Sequence, residues 1–372
     1  MRALATSSHW TSSVVQAMAA NLLVLVVLLV PVELIFGNWI RPFEISDLRR
    51  FSIPVGVTFN FDTSELYTAG PRNPIVSSRD EWGLRGSFTS LSQVNVLSVG
   101  GSTTEQRYLD DLATWQAVAE RELRARGVPI VIANAGVDGQ STVGHAFNFD
   151  FWFPLLRDLH PRYVVFYVGV NDILRRADRG RFDAAVDPRA WRSRSATYQL
   201  YRTVMGNLTA RGAGVTHGRR PPVNDTDFTS EGLLAAGERA ALSSVVTASF
   251  LEGVDHLRQK AEAMDAVPVF MTQTAFAWSG AEGPPRGLRS RIHIHDQDMN
   301  YADVSAIHQA VNKGLRGLCS ERRLICLDVA NDVAFDGDDF YDYLHNTPRG
   351  ADKLGRYLAD HLATLASGPP AR

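Results

Sequence analysis

The chain lacks most of the features that would set it apart from ordinary globular proteins. Its 372 residues show no repeat at a fixed period, which excludes solenoids and propellers. Charge is balanced, with a formal net charge of -2 at pH 7, and no basic block interleaved with aromatics occurs. That distribution has nothing to attract nucleic acid, and none is expected as a partner. The two cysteines, Cys319 and Cys326, are too few for a zinc site and too far apart for a Cys-x-x-Cys redox motif. They are close enough to bridge across a short turn, and two unrelated buried thiols fit the spacing equally well. Charge is missing altogether between Trp10 and Val32.

That last gap has the clearest consequence. Leu22 to Val30 is almost purely aliphatic, and with its flanks the stretch is long enough for a bilayer, which needs about 20 apolar residues. A cleaved signal peptide would place small residues after the apolar core. Here Ala17, Ala19 and Ala20 precede it, so an uncleaved anchor over residues 1–40 is expected, with Trp10 and Trp39 at interfacial depth. Only Arg2 marks the first flank, whereas Arg41, Arg49 and Arg50 follow the span. This count opposes export of the C-terminal part, and the extracytoplasmic placement expected below runs against it.

From Arg41 to Gln93 the chain is mixed and reads as a juxtamembrane segment of short strands and turns packing on the domain that follows. Its densest charged stretch, Ser78 to Gly86, is read as a solvated loop. From Val94 onward the pattern becomes regular. Strands are predicted at Val94–Val99, Ile130–Ala133, Tyr163–Val168, Val267–Met271 and Leu324–Asp328. Helices are predicted at Thr114–Arg126, Val143–Leu159 (limited or kinked by Pro154), Leu242–Met264, Tyr301–Leu318 and Arg349–Leu365. Short, continuously apolar strands alternating with helices indicate a parallel sheet covered on both faces. In such sheets ligands bind beyond the carboxyl ends of the strands.

Several polar motifs fall at that edge. Gly100-Gly101-Ser102, Asn134 to Gly139, Gly169-Val170-Asn171-Asp172 and Gln273-Thr274 each follow a predicted strand, and Asp342 to His345 precedes the last helix. A serine hydroxyl becomes a useful nucleophile when a base takes its proton and a third group orients that base. Asp342 and His345 have those residue types at i and i+3. An oxyanion needs preorganised donors, which the Ser102 and Gly139 amides and the Asn171 side chain supply. Read singly, each is also an ordinary capping or turn residue.

Taken together and in this order, these motifs make the stretch from Val94 to about Leu365 resemble the SGNH hydrolase family, also called the GDSL lipase/esterase family. Gly100-Gly101-Ser102 matches its first block, with glycine where aspartate is common. Asn134-Ala-Gly-Val-Asp-Gly139 matches the second, Gly169-Val170-Asn171-Asp172 the third, and Asp342-Tyr-Leu-His345 the last. The resemblance implies Ser102 as nucleophile, His345 as base and Asp342 as its orienting partner. It implies an oxyanion hole from the Ser102 amide, Gly139 and Asn171. It further implies a flavodoxin-like three-layer α/β/α sandwich with a five-stranded parallel sheet, and no metal or organic cofactor. The departure at Gly101 implies a subgroup away from the typical lipases.

The expected organisation is thus an anchor over 1–40, a juxtamembrane segment over 41–93, and a catalytic domain over 94–372 with an insertion at about 175–240. Arg175, Arg176, Arg179 and Arg181 in that insertion are candidates to meet an anionic substrate. The Gly- and Pro-rich loop from Ser279 to Asn300 is expected to be a mobile lid, and its His293-Ile-His-Asp296 has the alternation of a metal-ligating strand face. The expected activity is hydrolysis of a carboxylic ester through an acyl-serine at the cell envelope. Its partners would be an acylated small molecule, lipid or glycan, and the bilayer through the first helix. The rival readings are an O-acyltransferase and an inactive, membrane-tethered glycan-binding protein.

Overall fold

The structure, a computed structural model, describes residues 7–68, 70–174, 190–212 and 218–367. Its helices are α1 (Ser7–Phe36), α2 (Ser102–Glu105), α3 (Trp115–Ala125), α4 (Thr142–Phe151), α5 (Val170–Ile173), α6 (Ala196–Gly212), α7 (Ala236–Glu262), α8 (Tyr301–Arg322), α9 (Val329–Asp332) and α10 (Pro348–Ser367). Its strands are β1 (Val57–Phe61), β2 (Ile75–Arg79), β3 (Val96–Gly100), β4 (Ile132–Asn134), β5 (Tyr163–Tyr167), β6 (Phe228–Thr229), β7 (Val267–Met271), β8 (Gly287–Leu288), β9 (Arg291–Ile294), β10 (Gln297–Asn300) and β11 (Ile325–Leu327).

Two compact units share the chain, one with Met1–Phe43 and Val186–Thr216, the other with the rest. In the first, Val14–Phe36 of α1 is long and apolar enough to cross a membrane, with a mean hydropathy of 2.6. Glu33 ends the uncharged run and accepts from Ser195 Oγ at 2.7 Å and from the Ala196 and Thr197 amides at 3.0 and 2.9 Å. Those amides open α6 and lack partners within their own helix, so the carboxylate caps it. The insertion expected inside the catalytic domain therefore contributes α6 to the first unit. Arg175, Arg176, Arg179 and Arg181 lie outside the described residues.

The second unit is built on a five-stranded parallel sheet in the order β11-β7-β5-β3-β4. Numbered among themselves along the chain, the strands run 2-1-3-4-5, the flavodoxin-like order. All five residues of both β3 and β5 are buried, as strands covered on two faces must be. One face carries α3 and α10, whose Trp115, Leu123, Leu354 and Leu358 join Val96, Val165 and Val269 in a single core. Against the other face lie α4, α7 and α8, with Phe149, Phe166 and Phe270 in a chain of ring contacts. The architecture is the three-layer sandwich expected.

Boundaries shift where local chemistry overrides periodicity. The helix predicted from Val143 to Leu159 ends at Phe151, and Pro154 sits in a separate 3-10 turn, Phe153–Leu155. Helix α7 starts at Ala236 rather than Leu242, because its polar first turn is capped by Glu238, which accepts the Ala235 amide. Residues 44–93 belong to the sheet's unit, and their β1–β2 hairpin is antiparallel. Cys319 on α8 and Cys326 on β11 form a disulfide.

Candidate active site

The strand order reverses between β3 and β5: from β3 the chain moves outward to β4 and from β5 the other way to β7, and the site opens beyond that point. After β3 the chain turns through Gly100-Gly101 into α2, placing Ser102 at its first position. Small residues are needed here. A side chain on Gly100 would begin 2.4 Å from the Tyr167 carbonyl, and one on Gly101 would begin 2.4 Å from Asn171 Nδ2. The Asn171 amide therefore lies directly against the turn that presents Ser102.

Ser102 is 8% exposed, and its Oγ lies 2.7 Å from His345 Nε2. His345 Nδ1 lies 2.7 Å from Asp342 Oδ2. The other Asp342 oxygen accepts the Leu344 and His345 amides at 2.8 and 2.7 Å. Burial pushes the Asp342 carboxyl up, but the hydrogen bond and charge of His345 and the two amides outweigh it, leaving it below its ordinary value. An ionised Asp342 keeps the proton on Nδ1 and leaves Nε2 to accept from the serine. The loop bearing the pair is held on both sides. The Tyr341 amide donates to the His345 carbonyl at 3.0 Å, the Phe276 and Ala277 amides donate to the Tyr343 carbonyl, and the Tyr341 ring stacks on the imidazole at 5.7 Å.

Asn171 is the second residue of α5, and its Nδ2 donates to the Gln140 carbonyl at 2.8 Å. Gly139 precedes Gln140 with φ +74°, a conformation glycine adopts freely. The loop it ends is stitched to the Ser102 turn, with Val137 N donating to the Gly100 carbonyl and Asn134 Nδ2 to the Thr104 carbonyl at 2.7 Å. Gln273, singled out in sequence without a role, braces this edge. Its Oε1 accepts the Val170 amide at 2.8 Å, and its Nε2 donates to Thr103 Oγ1 and the Tyr167 carbonyl. All the sequence-derived site residues, Ser102, Gly139, Asn171, Asp342 and His345, thus come to one sheet edge.

The Ser279–Asn300 loop contains the β9–β10 hairpin, whose turn residues His295 and Asp296 have φ +55° and +57°. His293 faces solvent and pairs with Asp298, while His295 Nε2 reaches the Ile173 carbonyl at 2.7 Å. The alternation seen in sequence does not converge, and the described residues contain no group of three or more His, Cys, Asp or Glu arranged for a metal. The stretch from Ser78 to Gly86, read as a solvated loop, departs furthest from expectation. Arg79 and Arg85 are buried, their charge met by Glu105 and Asp111. Charge alone suggested solvent, and only the partners supplied by distant segments reverse that reading.

Such an edge, with a serine-histidine-aspartate row beside amide donors, has the parts needed for acyl transfer. No curated protein matches the chain. Among solved structures, it resembles a member of the lipolytic protein G-D-S-L family from Veillonella parvula (13% identity, 72% of this chain and 97% of that chain, TM-score 0.39). Another is the psychrotrophic esterase EstA from Pseudoalteromonas sp. (13%, 74% and 100%, TM-score 0.39). A third is a variant of Axe2, an acetyl-xylooligosaccharide esterase from Geobacillus stearmophilus (11%, 74% and 95%, TM-score 0.38). Residues 98–353, which run from β3 through the Asp342–His345 loop into α10, match the GDSL-like lipase/acylhydrolase family, and the chain belongs to that family of hydrolases.

Proposed function

We propose that the protein is a serine esterase held at the membrane by α1, with Ser102, His345 and Asp342 as its catalytic row. The observation that carries the reading is the unbroken sequence of contacts from Ser102 Oγ to His345 to Asp342, each 2.7 Å long. His345 Nε2 takes the Ser102 proton as Oγ attacks the ester carbonyl carbon. The Ser102 and Gly139 amides and Asn171 Nδ2 receive the negative oxygen of the tetrahedral intermediate. Its collapse breaks the bond to the alcohol, which leaves with the proton from His345. Water, activated by the same imidazole, then releases the acid and restores the serine.

The substrate class that fits best is an O-acyl glycan or lipid ester of the cell envelope. The apolar span supports the membrane placement, and the Cys319–Cys326 disulfide supports an oxidising, extracytoplasmic side. The His295 contact at the end of α5 supports a hairpin that covers the site as a lid. Ser102→Ala is expected to abolish turnover of a short-chain aryl ester and labelling by a fluorophosphonate. Labelling at the wild-type level in that variant would remove Ser102 from the role.

A further inference from the structure

Two arginines that precede the family-matched region reach into the turn carrying Ser102. Arg79 closes β2 and is 6% exposed. Its Nη1 donates to the Gly83 carbonyl at 2.7 Å, its Nη2 donates to the Gly136 carbonyl at 2.5 Å, and Glu105 Oε1 lies 3.2 Å from Nη2. Glu105 is the last residue of α2 and also accepts from Arg107 at 2.9 Å, so a largely buried Arg–Glu–Arg group backs the helix that begins with Ser102. Arg85 holds the following turn, donating to the Glu105, Gln106 and Leu109 carbonyls and pairing with Asp111 at 2.7 Å.

The backbone explains why such a brace matters. A side chain on Gly136 would begin 2.2 Å from the Glu105 amide nitrogen, so the two loops touch main chain to main chain. A four-residue helix has almost no stability of its own, and external contacts set its position. One guanidinium grips both sides of this seam, binding the carboxylate on α2 and a carbonyl of the loop that ends in Gly139.

We propose that Arg79 is a positioning residue, which sets the spacing between Ser102 and the Gly136–Gly139 loop, with Arg85 fixing the turn behind it. This rests on the reading of Ser102 as nucleophile and of Gly139 as an oxyanion donor. The segment before the family-matched region is then part of the working site rather than a spacer. Lysine keeps the charge but presents a point rather than a planar fork, and cannot serve Gly83, Gly136 and Glu105 together.

The test is Arg79→Lys in the full chain, followed by hydrogen exchange and by the rate of fluorophosphonate labelling. Exchange is expected to quicken across residues 102–107 and 135–141 while β5 and α10 stay protected, and labelling is expected to slow by about 10²-fold, the scale of a 1 Å misplacement. Unchanged exchange at residues 135–141, or faster exchange with a wild-type labelling rate, would overturn the proposal. Should Arg79→Lys fold poorly, Arg79→Met with Glu105→Leu removes both buried charges together, a change that cores often tolerate. That pair is expected to regain the melting temperature but not the labelling rate, and recovery of both would show a purely structural role. Ser102→Ala in the same assay isolates the nucleophile reading, because the exchange result does not depend on it.

Discussion

At the scale of single residues, Asn171 and Asp80 give the sharpest expectations. Asn171 Nδ2 donates one proton to the Gln140 carbonyl and lies beside Gly101, and in the proposed mechanism its second proton meets the developing oxyanion. Asn171→Ala should lower kcat by about 10²–10³ with little change in KM, because the bond strengthens in the transition state. Steady-state kinetics on an aryl ester decides this, and a loss confined to KM would contradict it. Asp80 accepts the Trp82 and Leu84 amides, yet burial raises its carboxyl to about 6 from 3.8. A raised acid contributes stability that is present below pH 3.8 and lost as pH climbs through about 6. Asp80→Asn should therefore be more stable than the wild type above pH 6, by about 1 kcal/mol once solvent screening is allowed for, and lose that advantage at pH 4. Thermal melts at the two pH values provide the check. Asp342 has the opposite sign. Its depressed carboxyl contributes stability above the ordinary carboxylate pKa that is lost as pH falls through the lower folded value.

At the scale of elements, the sheet was legible and the braces were not. Val267–Met271 was located to the residue, because a short apolar run between a helix and a polar edge has few other readings. The turn that presents Ser102, the asparagine of α5 and the Asp342–His345 loop were legible for a related reason. Each follows or precedes a strong element and carries a motif whose chemistry needs that spacing. Arg79 and Arg85 gave no such signal, since a charged residue in a polar stretch looks the same whether it is solvated or paired with a carboxylate met later in the chain. Helix α6 was hidden likewise, because the Glu33 that caps it is remote in sequence. Packing between elements yields its own expectation. Leu354 of α10 is fully buried against α3 and the sheet, so Leu354→Ala should cost about 2–5 kcal/mol in chemical denaturation while leaving the site's chemistry intact. A cost near zero would mean that α10 does not seal that face.

At the scale of the whole molecule, the chain combines a hydrolase fold with a helix long and apolar enough for a bilayer. Arg41, Arg49 and Arg50 follow the span and oppose export, whereas the disulfide fits an oxidising compartment. A C-terminal reporter that works only outside the cytoplasm should be active if the proposed placement holds, and activity of a cytoplasm-only reporter would reverse it. Product analysis with and without a glycan acceptor separates hydrolysis from transfer, since both would pass through the acyl-serine proposed above. In the proposed mechanism Ser102 Oγ carries that acyl group. Mass mapping of fluorophosphonate-treated protein should find one adduct, on the peptide containing Ser102, and none when His345 is replaced by alanine. An adduct on another serine, or undiminished modification of Ser102 without His345, would contradict the account.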